Sequence, residues 1–205
     1  MTAFLLRLLT GVRARFDGFD PDAASPKCGR IFFANHTSHL DAAVIWAALP
    51  RNLRKITRPV AAADYWSAGV RRWIADHVFR ALLVERKKVT RANNPLAAME
   101  AAVLAGDSLI IFPEGTRADC DAAELNEFKP GLFHLARKCS DLEFVPVYLE
   151  NLNRILPKGD FLLIPLLATA YFGPPLRLGA GEDKCAFLDR AKAAVEALKE
   201  QGAHD

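Results

Sequence analysis

The chain has 205 residues, 51% of them apolar, and carries 27 basic against 24 acidic side chains for a net charge of +3. That length suits one domain with a sizeable core, and a mean hydropathy of +0.06 suits a protein that touches lipid. The near balance of charge excludes a general polyanion binder, nucleic acid included. No apolar run reaches the roughly 20 residues of a membrane-spanning helix; the longest, Phe161 to Phe172, is broken by Pro165.

In chain order, Thr2 to Phe16 predicts a helix, with Phe4, Leu5, Leu8, Leu9 and Val12 at helical spacing and Arg7, Arg13 and Arg15 among them. It would lie in a membrane interface or pack on the domain's own core. No signal-peptide cleavage pattern follows it. The turn-rich stretch Asp17 to Pro26 reads as a connector, so residues 1–25 form a possible membrane-facing unit and 26–205 the domain proper. Arg30 to Asn35 predicts a buried strand and Leu40 to Leu49 a helix. Ile56 to Ala62 predicts a strand weakened by Pro59. Tyr65 to Phe79 predicts one helix, with Trp66, Val70, Trp73, Ile74 and His77 along one side. Further strands are predicted at Ala81 to Val84, Ser108 to Phe112, Phe144 to Leu149 and within Phe161 to Tyr171, and further helices at Pro95 to Ala105, Pro130 to Cys139 and Lys184 to Lys199. Pro146 suggests that its strand is an edge or carries a bulge. The alternation predicts an α/β fold: a single domain with a central, largely parallel β-sheet flanked by helices. Cys28, Cys120, Cys139 and Cys185 are far apart, match no zinc spacing and read as free thiols of a reducing compartment.

Two polar blocks each follow an apolar run: Asn35-His36-Thr37-Ser38-His39-Leu40-Asp41 and Phe112-Pro113-Glu114-Gly115-Thr116-Arg117. Polar clusters at strand exits are how an α/β enzyme builds a site at one sheet edge. Together the blocks closely resemble the glycerolipid acyltransferases, the family that includes 1-acylglycerol-3-phosphate acyltransferase. The resemblance runs from about residue 30 to about residue 150. His-x4-Asp alone is common, whereas Phe-Pro-Glu-Gly-Thr-Arg is specific.

Acyl transfer from a thioester to a hydroxyl needs a base for the hydroxyl proton and a means of holding the tetrahedral oxyanion. His36 is the candidate base. Asp41 is the candidate partner that fixes its tautomer and favours the imidazolium. The resemblance implies the same roles. It also implies that Glu114, Gly115 and Thr116 shape the acceptor site and that Arg117 holds a phosphate; the carboxylate and guanidinium could instead pair with other residues and fix the loop. The run Arg80 to Arg86 matches the family's middle block only in its final arginine, so Arg86 carries over as a phosphate ligand or belongs to a solvated cluster with Lys87 and Lys88. His39 makes a metal site conceivable, but no further ligand motif accompanies it. Lys129-Pro130-Gly131 resembles the family's basic-x-Gly step; it could contact phosphate, and the simpler role is to start a helix.

Between Arg51 and Arg91, eleven basic residues face three acids. Such a surface attracts phosphate groups or an anionic membrane, or is a set of solvated helix faces. The expectation is an O-acyltransferase of phospholipid biosynthesis, membrane-associated (peripheral or monotopic) on the cytoplasmic face. Its donor would be acyl-CoA or acyl-acyl carrier protein, used as co-substrate with no bound cofactor or metal. Its acceptor would be a lysophospholipid, 1-acylglycerol-3-phosphate foremost. The altered middle block leaves room for another lyso-lipid, for example an ornithine-type one, and a non-catalytic membrane-binding module is the rival from a different class.

Overall fold

The computed structural model describes residues 7, 11–24, 26–38, 40–66, 68–85, 90, 93–116, 125–150 and 168–204. Its strands are β1 (Arg13–Phe16), β2 (Arg30–Ala34), β3 (Thr57–Ala62), β4 (Leu82–Val84), β5 (Ser108–Ile111), β6 (Glu143–Glu150) and β7 (Thr169–Phe172). They form a seven-stranded sheet in the order β1-β7-β6-β2-β5-β3-β4. The five strands from β6 to β4 run parallel. β7 is antiparallel to β6, and β1 pairs parallel with β7. The helices are α1 (Asp41–Ala48), α2 (Arg51–Ile56), α3 (Ala63–Trp66), α4 (Gly69–His77), α5 (Pro95–Leu104), α6 (Gly131–Ala136) and α7 (Lys184–His204).

The core has two halves because a strand's side chains alternate between faces. From β2, Phe32 and Ala34 join a cluster with Val44 and Ile45 of α1 and Leu49 just after it. Ile31 and Phe33 join the opposite cluster with Val103 of α5, Leu132 and Leu135 of α6, and Phe187 and Val195 of α7. Phe32 and Phe33 are completely buried, and each such side chain contributes about 2 kcal/mol.

Several expectations are corrected. The C-terminal end of the helix predicted over Thr2 to Phe16 is the edge strand β1; Arg7 is helical, and the other residues before Gly11 lie outside the described ones. Arg13 to Phe16 finds an unpaired sheet edge on β7, with Arg13 N–H donating to Ala168 O at 2.9 Å. The helix predicted over Tyr65 to Phe79 is two, α3 and α4. Ala68 between them is extended, and Gly69 takes the left-handed φ of 61° that glycine adopts without steric cost. Pro146 lies in an interior strand rather than an edge, and the bulge alternative holds. Gly173 N–H donates to Pro146 O at 3.0 Å and Phe144 pairs with Leu176, so the partner segment carries one extra residue just before the β6–β7 ladder begins at Val147. Helix α2 was not anticipated. Much of the predicted segment Phe161 to Tyr171 lies outside the described residues, and its end forms β7.

Cys28 and Cys139 form a disulfide with Cα atoms 6.6 Å apart, against the reading of these two as free thiols; Cys185 is free and exposed, and Cys120 lies outside the described residues. The cause is topological: the two cysteines precede β2 and β6, which are parallel neighbours, so segments 111 residues apart in sequence enter the sheet side by side.

Candidate active site

The C-terminal ends of the parallel strands share one sheet edge, where an open α/β sheet holds its ligands. The chain leaves β2 through Asn35, whose buried side-chain amide reproduces a backbone pairing with β6. Its Nδ2 donates to Leu149 O at 3.1 Å, and its Oδ1 accepts from Leu149 N–H at 2.8 Å. This pins the backbone immediately before His36.

Asp41, at the start of α1, has a fully buried side chain and reaches back over the turn. Its Oδ2 accepts from Thr37 N–H at 2.7 Å and Ser38 N–H at 2.9 Å, and it lies 2.8 Å from His36 Nδ1. An oxygen already accepting two N–H groups is an acceptor to the ring as well, so the tautomer of the neutral ring that fits has its proton on Nδ1 and its lone pair on Nε2. Asp41 Oδ1 is buried with no hydrogen-bond partner among the described residues. The imidazole stacks on Phe112, with centroids 4.2 Å apart and planes at 18°, and is 18% exposed. The ring is therefore fixed on one nitrogen and one face.

The second block meets the first here. Glu114, after β5, is 3% exposed. Its Oε1 accepts the His36 backbone N–H at 3.0 Å, and its Oε2 accepts Asn126 N–H at 3.1 Å and Nδ2 at 2.9 Å. Gly115 has φ of 72°, and a Cβ there would collide with the Lys129 side chain, 2.7 Å from its Cε. Glycine thus permits both the turn and the passage of that lysine across it. Thr116 is exposed at the end of the turn. Arg86, Arg117 and His39 lie outside the described residues.

A cavity of about 350 Å³ opens at this edge, of the size that holds small-molecule ligands. Its lining joins His36, Glu85, Gly115 and Lys129 to Val60, Val84, Met99, Ile111, Phe112, Leu132 and Leu135. One site thus brings a base with a free ring nitrogen, a cation and an apolar hollow within reach of each other. Among the described residues, no group of three or more His, Cys, Asp or Glu side chains could hold a metal ion.

His36, Asp41, Glu114 and Gly115 converge as the two blocks suggested. Asn126 and the ring of Phe112 had no assigned part, and Lys129 was read mainly as a helix start. An asparagine in a loop has no sequence signal of its own; the basic-x-Gly step did single out Lys129.

Comparison with known proteins gives a family and a similar fold. A family model described as Acyltransferase matches residues 20–150. No curated protein matches the chain. Among solved structures, the chain is similar to the 1-acyl-sn-glycerophosphate (LPA) acyltransferase PlsC from Thermotoga maritima, with a TM-score of 0.73 at 16% identity, over 98% of this chain and 76% of that one. At that identity the likeness concerns the fold.

Proposed function

The chain belongs to the acyltransferase family and is an enzyme of that class, and from this premise we propose that it moves a fatty acyl group from acyl-CoA or acyl-acyl carrier protein to the free hydroxyl of a lysophospholipid. The preferred acceptor is 1-acylglycerol-3-phosphate, giving phosphatidic acid in phospholipid biosynthesis at a membrane surface. The similarity in fold to a protein titled as an LPA acyltransferase supports that acceptor. The observation carrying the chemistry is the 2.8 Å contact of His36 Nδ1 with buried Asp41, beside a cavity that combines polar and apolar walls.

In the reaction, His36 Nε2 accepts the hydroxyl proton as the acceptor oxygen attacks the thioester carbonyl carbon. Asp41 stabilises the imidazolium and holds the ring's tautomer. The tetrahedral intermediate collapses by breaking the carbon–sulfur bond, and the leaving thiolate takes the proton from Nε2. The acceptor's own hydroxyl is the nucleophile, so no acyl-enzyme forms. Glu114 acts through the backbone, setting His36 against the loop of Asn126. Lys129, together with Arg86 and Arg117, supplies positive charge for the acceptor phosphate, and holding that group makes the attack effectively intramolecular. The apolar walls from β3, β5, α5 and α6 take the acyl chain. The chemistry asks for no metal or bound cofactor.

The test is thiol release from acyl-CoA with and without lysophosphatidic acid, the lipid product being identified. Release should depend on the acceptor and yield phosphatidic acid. His36→Ala should lose at least about 10³-fold in turnover while melting like the wild type. Undiminished transfer by that variant would refute the mechanism; release without acceptor would indicate a hydrolase.

A further inference from the structure

We propose that Phe112 is a positioning residue of the reaction: the face of its ring holds the His36 imidazole in place and stabilises the imidazolium that forms there. The proposal rests on the acyltransferase reading for the reaction itself, while the contact it invokes is independent of which lipid is the acceptor.

Strand order creates the contact. β2 and β5 are parallel neighbours with Phe33 opposite Ile111, so the residues that follow the two strands leave the sheet side by side. The Phe112 side chain packs against the core cluster that holds Phe32 and Ile45. Its carbonyl accepts Gly115 N–H at 3.0 Å, which closes its backbone into a turn. The ring is therefore backed by the core and tied at its base. On it lies the imidazole, with centroids 4.2 Å apart and planes at 18°. Asp41 Oδ2 meets the same imidazole at its Nδ1 edge, at 2.8 Å, and Glu114 Oε1 accepts the His36 backbone N–H at 3.0 Å. The second motif block thus reaches the base twice, through Glu114 at its backbone and Phe112 at its ring.

When Nε2 takes the hydroxyl proton, the imidazole becomes a cation lying over the negative face of a phenyl ring. Their separation is well inside the distance of about 6 Å over which such a contact acts. The neutral imidazole gains less from that face. The contact therefore strengthens as the proton arrives, and it favours the transition state over the ground state. The imidazole is 18% exposed, so water screens the attraction only in part. Because Phe112 takes a face and Asp41 an edge, neither obstructs Nε2; His36 and Phe112 both line the cavity. An aliphatic side chain could fill the same space, but it has no π face to offer the charge.

The experiment compares the full chain with Phe112→Leu, Phe112→Met and Phe112→Tyr in thiol release from acyl-CoA with lysophosphatidic acid, beside thermal melts. The two aliphatic variants should lose about tenfold in kcat, with acceptor KM changed by less than about twofold. Phe112→Tyr keeps the π face and should stay within about threefold of the wild-type kcat. Packing alone would predict the opposite order, since leucine adds no polar atom and tyrosine does. Proton NMR reads the contact directly. The His36 ring protons, assigned by their loss in His36→Ala, should lie upfield in the wild type under the phenyl ring current. They should move downfield in Phe112→Leu and stay in place in Phe112→Tyr. A folded aliphatic variant with wild-type kcat, a tyrosine variant that falls as far as the aliphatic ones, or His36 protons unmoved in Phe112→Leu overturns the proposal. If the wild type transfers no acyl group, the functional reading fails while the NMR shift still reports the stack; if it transfers and Phe112→Leu keeps pace, the role of Phe112 alone fails.

Discussion

At the scale of single residues the site depends on Asp41. One of its oxygens gathers Thr37 N–H, Ser38 N–H and His36 Nδ1, while the other is buried without a partner among the described residues. Asp41→Asn can keep its amide oxygen toward those donors and place its NH₂ where Oδ1 stands. The variant should therefore fold, yet lose the negative charge that stabilises the imidazolium. Turnover should fall about 10³-fold or more, with a smaller change in acceptor KM; steady-state kinetics beside a thermal melt separate the two effects. His36 has its carboxylate five positions away, so their meeting is a local event within one turn, and the sequence motif reads directly as geometry. Glu114 differs. It reaches the His36 backbone from 78 positions away, and no local spacing announces that contact.

At the scale of elements, the strand starts are tied as firmly as their ends are open. Arg30 and Glu143 open β2 and β6 in register and bond at 2.9 Å, and Arg177 bonds the other Glu143 oxygen at 2.8 Å. Burial alone would raise the Glu143 pKa, but the bonds from Arg177 and Arg30 outweigh it and hold the carboxyl below its usual value. With a depressed native pKa, the contribution is complete above the unfolded value of about 4.3 and is lost as pH falls through the lower native value. Glu143→Gln should thus cost about 2 kcal/mol at neutral pH, since Arg30 is buried beside it. It should also flatten the acid-side decline of stability, as denaturant melts over pH would record. The elements themselves were mostly legible, because β2 and β5 are continuous apolar runs and Pro95 marks the first turn of α5 with Asn94 as its cap. The course of α4 was not, since periodicity shows that a stripe exists but not which way it faces.

For the whole molecule, one sheet edge is braced and the other holds the chemistry. The disulfide between Cys28 and Cys139 spans 111 residues at the braced edge, where Arg58 and Asp107 also pair at 2.8 Å. A crosslink closing so long a loop restricts the unfolded chain strongly. Reduction, or Cys28→Ser, should cost about 3 kcal/mol and lower Tm by about 6–12 °C, with kcat retained because the bond lies away from His36. Equal melting of oxidised and reduced protein would show that the bond adds nothing to stability.

The α/β alternation, the family and the His36–Asp41 pair were legible in the chain before folding, because each is written in short local runs: alternating apolar periods, two separate motif blocks, and one five-residue spacing. The seating of Glu114 on His36 and Asn126, the passage of Lys129 over Gly115, the Cys28–Cys139 bond and the outward face of α4 emerged with the folded chain. Those contacts join segments brought together by strand order, and strand order follows from how the whole chain buries its apolar faces rather than from any local pattern.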